Sequence, residues 1–303
     1  MPLRKNVYKI PIEFYHMIFM RQCYVNEIDY FYEFFIIYAI KNNEETPEEL
    51  EQFAAYASSL NGFQPKINIY DNERNLCIAK LSSIFKNDFN EMKREILAYK
   101  LAQKSGLNLQ EYSIETTKNG ERYLLLKRFD RIKNTRIPFI YFSDVCNTHS
   151  IYNYDDKITD AIKSICSKNS KENLKEIFKR KLFRIMIGNV RDMFPNTAFL
   201  FNTKTGWNLS PDFDINCGYY KLSDKEELLN KKKRNSEFRI KMAQELINNS
   251  NLYEVSKKEI EEIIKDFKKG FKDWQQEAIN IGFKDSQLLK LKICEEVVYN
   301  LLV

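Results

Sequence analysis

Histidine is nearly absent. The chain has two, His16 and His149, among 303 residues, so a His-based catalytic centre is not expected. Glycine (eight) and proline (seven) are also scarce, which excludes collagen-like and Pro/Gly-rich disordered classes. Six cysteines, Cys23, Cys77, Cys146, Cys166, Cys217 and Cys294, show no zinc-knuckle spacing. The expectation is free, mostly buried thiols in a reducing compartment. No uninterrupted apolar run spans a bilayer: the aromatic stretch from Phe14 to Ile40 is broken by Arg21, Glu27, Asp29 and Glu33, and no signal peptide is visible. A cytoplasmic protein with no membrane role is expected. Strong charge of one sign is missing too. Lys and Arg number 48 against 42 Asp and Glu, so direct nucleic-acid binding is not expected.

What remains is a globular composition, 44% hydrophobic and 14% aromatic, sufficient for one large or two moderate cores. Residues 1–57 read as mostly helical, with Thr46-Pro47-Glu48-Glu49 as a helix start. Residues 58–85 change to short apolar runs around Asp71-Asn72-Glu73, a hairpin pattern. Helical periodicity returns over 89–105 and stops at Gly106, and 110–128 reads as two strands about Lys118-Asn119-Gly120. The first half therefore runs β–β–α–β–β. Beyond it, Lys171–Ile187 is an amphipathic helix, 198–215 a hairpin turned at Thr203–Gly206, Glu254–Ile281 one long amphipathic helix and Leu288–Leu302 another. The basic run Lys231-Lys232-Lys233-Arg234 reads as an exposed loop, with phosphate or acid binding as the alternative.

Several short segments carry chemistry in a definite order. Ser58 to Lys66 is a small, polar, Gly-containing loop before a strand, and free amides around Gly62 suit an anion. Lys80 closes the apolar run Cys77-Ile78-Ala79, and Glu95 lies on the following helix. Leu124-Leu125-Leu126 runs into Lys127-Arg128-Phe129-Asp130-Arg131, an apolar strand with a charged exit that suits a hinge able to hold adenine. Then come Gly188-Asn189-Val190-Arg191-Asp192-Met193-Phe194-Pro195-Asn196 and Leu209-Ser210-Pro211-Asp212-Phe213-Asp214. An Asn amide oxygen and an Asp carboxylate at such spacing are what phosphoryl transfer uses to hold Mg²⁺. Phosphate loop, strand Lys, helix Glu, hinge, catalytic loop and metal Asp is the order of a bilobal kinase.

From about Ser58 to Gly218 these segments resemble the HipA-like serine/threonine kinases, the toxin kinases of bacterial toxin–antitoxin systems. The resemblance rests on Asn61-Gly62-Phe63-Gln64-Pro65-Lys66, Glu95 before Ser105-Gly106, Lys127–Arg131, Gly188–Asn196 and Leu209–Asp214. It implies an α+β, bilobal protein-kinase-like fold, with a β-rich N-lobe over 1–131 and an all-helical C-lobe over 132–303. It also implies ATP and Mg²⁺ as cofactors. Ser59, Asn61, Gly62, Lys80, Glu95, Lys127 and Phe129 would bind nucleotide, and Asn196 and Asp214 the metal. Ser59 falls where some relatives phosphorylate their own loop. Known relatives act on aminoacyl-tRNA synthetases and pair with antitoxin proteins, in the bacterial cytoplasm or, for a delivered effector, the host cytosol. The region before Ser58 is too short for the extra N-terminal subdomain of longer members.

One departure stands out. The family loop reads Gly-Asn-x-Asp-x-His-x-x-Asn, and without gaps this chain puts Arg191 at the catalytic Asp and Met193 at the His. A guanidinium is a permanent cation and cannot take a hydroxyl proton. Asp192 is the adjacent substitute, although the next side chain along a loop ordinarily points elsewhere. The chain is then either a kinase impaired at this position, naturally or by alteration, or a natural pseudokinase that binds nucleotide and serves as an interaction module.

Overall fold

The computed structural model describes residues 66–80, 91–117, 120, 122–132, 135–146, 153–222 and 224–301, apart from the side chains of Ile67 and Asp192. The helical reading of 1–57, the loop residues Ser58–Pro65 and the turn residues 118–119 lie outside them. By their contacts the described residues divide into two compact units, with the break at Arg128/Phe129 and residues 86–111 grouping with the later part of the chain.

The first unit is one antiparallel sheet. Strands β1 (Lys66–Tyr70), β2 (Leu76–Lys80), β3 (Tyr112–Thr116) and β4 (Arg122–Lys127) lie in the order β1-β2-β4-β3. The expected hairpin at Asp71 forms because that side chain accepts from the backbone N–H groups of Glu73 (2.9 Å) and Asn75 (2.7 Å), an Asx-type turn that closes the strands. Gly120 supplies the positive φ of +82° in the second turn. Four consecutive residues of β4, Tyr123 to Leu126, are buried, as a central strand covered on both faces requires.

The second unit holds helices α1 (Glu91–Lys104), α2 (Phe142–Val145), α3 (Tyr154–Ile165), α4 (Ser170–Ile187), α5 (Lys225–Asn248), α6 (Lys257–Phe271), α7 (Trp274–Ile281), α8 (Asp285–Leu288) and α9 (Glu296–Tyr299). It is not helical throughout. The hairpin anticipated at 198–215 is β8 (Ala198–Asn202) with β9 (Gly206–Leu209), and β7 (Phe139–Tyr141) adds a third strand alongside β8. A two-residue ladder, β5 (Arg131–Ile132) with β6 (Thr135–Arg136), precedes it. Eleven of the eighteen residues of α4 are buried, so this helix is the axis on which the rest packs.

Three expectations are corrected here. The helix foreseen over Glu254–Ile281 is two, α6 and α7, because the chain turns at Lys272–Asp273 and both pieces pack on α1. Its start is capped by Ser256 and Glu259 in a reciprocal capping box. The helix foreseen over Leu288–Leu302 survives only as α9. Residues 290–294 instead bond to neighbouring loops: Lys292 N–H donates to Gly218 (2.8 Å), Cys294 N–H to Met186 (2.8 Å), and the Lys290 carbonyl accepts from Tyr220 (2.8 Å). The basic run Lys231–Arg234 is not a loop. It lies within α5, whose N-cap Asp224 accepts from Glu227 N–H at 2.7 Å, and Lys and Arg are good helix formers that continue such a start.

Candidate functional site

Helix α4 ends on Gly188, which takes the left-handed conformation (φ +71°) while Asn189 N–H returns to the Arg184 carbonyl at 2.9 Å. This is the αL stop that glycine permits. The following loop makes a 3₁₀ turn at Arg191–Met193. It is held from below by Met193 and Phe194, 4% and 6% exposed, with Phe194 edge-on to Phe142 at 5.5 Å. Thr197 Oγ1 donates to the Met193 carbonyl (2.7 Å). Arg191 is exposed, and its side chain makes no hydrogen bond or ion pair among the described residues.

The segment Leu209–Gly218 leaves the small sheet and runs beside α4, where side chains of that helix and its loop take over the role of a neighbouring strand. Leu209 N–H donates to Asn173 Oδ1 (2.7 Å), and the Ser210 carbonyl accepts from Arg180 Nη2 (2.7 Å). Arg184 Nη2 donates to Asp212 Oδ1 (2.9 Å) and to the Phe213 carbonyl (3.4 Å). Asn196 Nδ2 donates to the Asp214 carbonyl (3.4 Å) and Asn189 Nδ2 to that of Asn216 (2.8 Å). Gly218 N–H closes the series on Ile187 (2.9 Å). On its other side Asp212 pairs with the 108–110 loop, its N–H donating to Asn108 (2.7 Å) and its carbonyl accepting from Gln110 (3.0 Å). Backbone groups without a ladder must be satisfied somehow, and here most anchors come from α4, its loop and the 108–110 loop, with Arg94 of α1 donating to the Cys217 carbonyl (2.8 Å) and Lys292 N–H to that of Gly218 (2.8 Å).

The two aspartates of this segment have opposite environments. Asp212 is 2% exposed and spent on Arg184, itself fully buried, so it is structural. Asp214 is exposed and takes φ +53°, a left-handed conformation that Asp tolerates better than most residues. Because Asn196 turns its Nδ2 toward the Asp214 backbone, Oδ1 is left for a cation. A carboxylate and an amide oxygen fit Mg²⁺, which takes its remaining ligands from water and phosphate. No cluster of three or more His, Cys, Asp or Glu able to hold a metal occurs among the described residues.

Tyr99 of α1 ties Glu95 to this acidic end. Burial first, then the carboxylates of Glu95, Asp214 and Asp212, push its phenol well above the ordinary range, partly offset by the Asp214 backbone. Glu95 is 1% exposed. Phe129 stacks on Phe213 and Phe139 at centroid distances of 5.5 and 5.7 Å. Burial pushes the Cys217 thiol up to about 12, with Arg94 opposing, so Cys217 is not a nucleophile. All five described cysteines are free thiols.

In the sheet unit, Lys80 ends β2 and is 4% exposed. Its cross-strand partner is Lys66, 9% exposed. Two lysines directly opposite each other on one face repel. Lys66 also ends the polar, Gly-containing loop that begins at Ser58. The turn at Asp71 fixes the register that sets it opposite Lys80. Lys127 is half-buried at the end of β4. Ser59, Asn61 and Gly62 lie outside the described residues, as does the Asp192 side chain.

A family model described as the HipA-like C-terminal domain matches residues 58–274. Among solved structures, the chain is similar to HipA of Shewanella oneidensis MR-1, from its complex with HipB and operator DNA, with 13% identity and a TM-score of 0.47. That alignment covers 79% of this chain and 61% of the other, so this chain spans under two thirds of that HipA. It is also similar to the Helicobacter pylori proinflammatory kinase CtkA, with 16% identity over 73% of this chain and 94% of that one, at a TM-score of 0.39. No curated protein matches.

Proposed function

This chain belongs to the HipA-like C-terminal domain family, and on that premise we propose that it is a Mg–ATP-dependent serine/threonine protein kinase of toxin or effector type, impaired by Arg191. The observation that carries the reading is the pairing of an exposed, left-handed Asp214 with Asn196 on a segment anchored residue by residue to α4. Asp214 and Asn196 would hold Mg²⁺, which would supply charge neutralisation of the triphosphate. Lys80 and Lys66 would meet phosphate oxygens, Glu95 would orient the lysine charge, and Ser59, Asn61 and Gly62 would offer loop contacts. Lys127 and Phe129 would flank the base. The general-base position holds Arg191, with Asp192 the adjacent acid. A translation-related protein, an aminoacyl-tRNA synthetase by family analogy, is the proposed substrate, an antitoxin protein the proposed partner and the cytoplasm the proposed location.

The second reading, a pseudokinase that binds nucleotide and acts as an interaction module, is favoured by one observation: Arg191 is exposed in a well-formed 3₁₀ turn. A radiolabelled ATP assay on the chain and on Arg191→Asp, with Mg–ATP calorimetry alongside, separates the two. Transfer by Arg191→Asp supports the kinase reading. Nucleotide binding with no transfer by either form supports the pseudokinase. No Mg–ATP binding by either form rejects both.

A further inference from the structure

Arg191 is not an isolated cation. Lys231, Asn235 and Arg239 recur every four residues of α5 and so share one helix face. Asn235 Nδ2 donates to Tyr220 Oη (3.0 Å), and Arg239 donates to the Lys292 carbonyl and to that of Met186 (3.3 Å) at the end of α4. Lys292 lies over the Tyr220 ring, its Nζ 5.2 Å from the centroid. Its Cβ is 2.5 Å from the point a Cβ on Gly188 would occupy, and Arg191 is three residues beyond that glycine. This packing gathers Arg191, Lys292 and Lys231 at the start of the catalytic-type loop.

We propose that Arg191, Lys292 and Lys231 form an anion site at this loop, and that its ligand is a phosphate monoester carried by a protein side chain. Arg191 and Lys231 are exposed and Lys292 half-buried. None of the three side chains makes a hydrogen bond or ion pair among the described residues. Burial, and after it Arg239, Lys231, Arg94 and Arg191, push the Lys292 ammonium below its ordinary range, and no acid is among these influences. Arg239, 5% exposed, also leaves Nη2 buried without an acceptor. Like charges gathered with no counter-charge among the described residues destabilise the fold, and a ligand that supplies the opposite charge relieves that cost. Arg offers a planar fork and Lys a compact charge, the usual pair for phosphate. The tyrosines of the cluster, Tyr219 and Tyr220, are 8% and 2% exposed. They present no open face for stacking bases, which favours a phosphorylated protein over single-stranded nucleic acid.

The proposal goes beyond the kinase reading and is tested without nucleotide or Mg²⁺, so failure of one leaves the other intact. The full chain is titrated with inorganic phosphate against chloride at matched ionic strength, then with a phosphoserine peptide, its unmodified serine version and a single-stranded oligonucleotide. Phosphate and the phosphopeptide should bind, the phosphopeptide more tightly, and the serine peptide should not. Arg191→Gln and Lys292→Met should each weaken binding roughly tenfold or more, the loss of one charge-assisted contact. Arg191 is exposed, so Arg191→Gln keeps the test valid even if Lys292→Met fails to fold. The proposal is overturned if phosphate does not bind or if Arg191→Gln binds it as well as the parent. Phosphopeptide binding no tighter than free phosphate, or weaker than the oligonucleotide, overturns the assignment to a phosphorylated protein.

Discussion

Asp212 and Asp214 sit two residues apart and differ in everything that decides a role. For Asp214, the expected outcome of Asp214→Ala is loss of metal-dependent nucleotide binding. Calorimetry giving an unchanged Mg–ATP affinity would remove it from the metal site. For Asp212, the fully buried partner Arg184 sets the expectation. Asp212→Leu leaves an uncompensated buried cation and should cost about 3–5 kcal/mol. The double change Arg184→Met/Asp212→Leu should recover most of this, because a buried pair and a well-packed apolar pair are often close in stability. Urea unfolding of the two variants checks it, and a double variant as unstable as the single one contradicts it. At position 191, a missing general base costs on the order of 10²–10⁴ in rate. Arg191→Asp should recover much of that in a phosphoryl-transfer assay. A parent already as fast as the variant would make Asp192 the base.

The elements show which parts of the fold local sequence could dictate. Asp71 closes its hairpin and Gly106 stops its helix through contacts within a few residues, and the sequence pattern shows both; Gly188 and Ser256 act just as locally on α4 and α6. Ser256 and Glu259 give a testable pH effect. Backbone and side-chain hydrogen bonds at Ser256 are the leading causes that hold the Glu259 carboxyl down to about 2, against an ordinary 4.5. Its contribution is therefore complete above about pH 4.5 and is lost as the pH falls toward 2. Ser256→Ala should cost about 1 kcal/mol and flatten the acid limb of a Tm-versus-pH curve. An acid limb of unchanged slope would remove the pair from the account. What could not be read had distant causes. Residues 290–294 give up helical bonds for carbonyls of Met186 and Gly218, and the helix foreseen over 254–281 bends where both halves meet α1. The basic run Lys231–Arg234 continues α5 because its density of charge contains nothing that breaks a helix.

For the molecule as a whole, the order of motifs along the chain makes the family legible, and the sequence pattern alone points to Asn196 and Asp214 as a pair. Which of two nearby aspartates is spent on a buried arginine needed the fold, because Arg184 belongs to another element, 28 residues before Asp212. Regulation at this scale would work through the Ser58–Lys66 loop. A phosphate on Ser59 would bring nearly two negative charges, so Ser59→Asp should bind ATP more weakly than Ser59→Ala. Mass spectrometry of active protein incubated with ATP should find phosphate in this loop. Equal ATP affinities and no loop phosphate would leave Ser59 a structural residue. The interlock of Gly188, Gly218 and Lys292 also has a consequence in time. Lys292 N–H is bonded to the Gly218 carbonyl and Gly218 N–H to Ile187, with no room for a side chain on either glycine. During synthesis the earlier segments emerge first, at about 5–20 residues per second. The loop at Gly188–Asn196 thus lacks this brace until residues near 292 have left the ribosome.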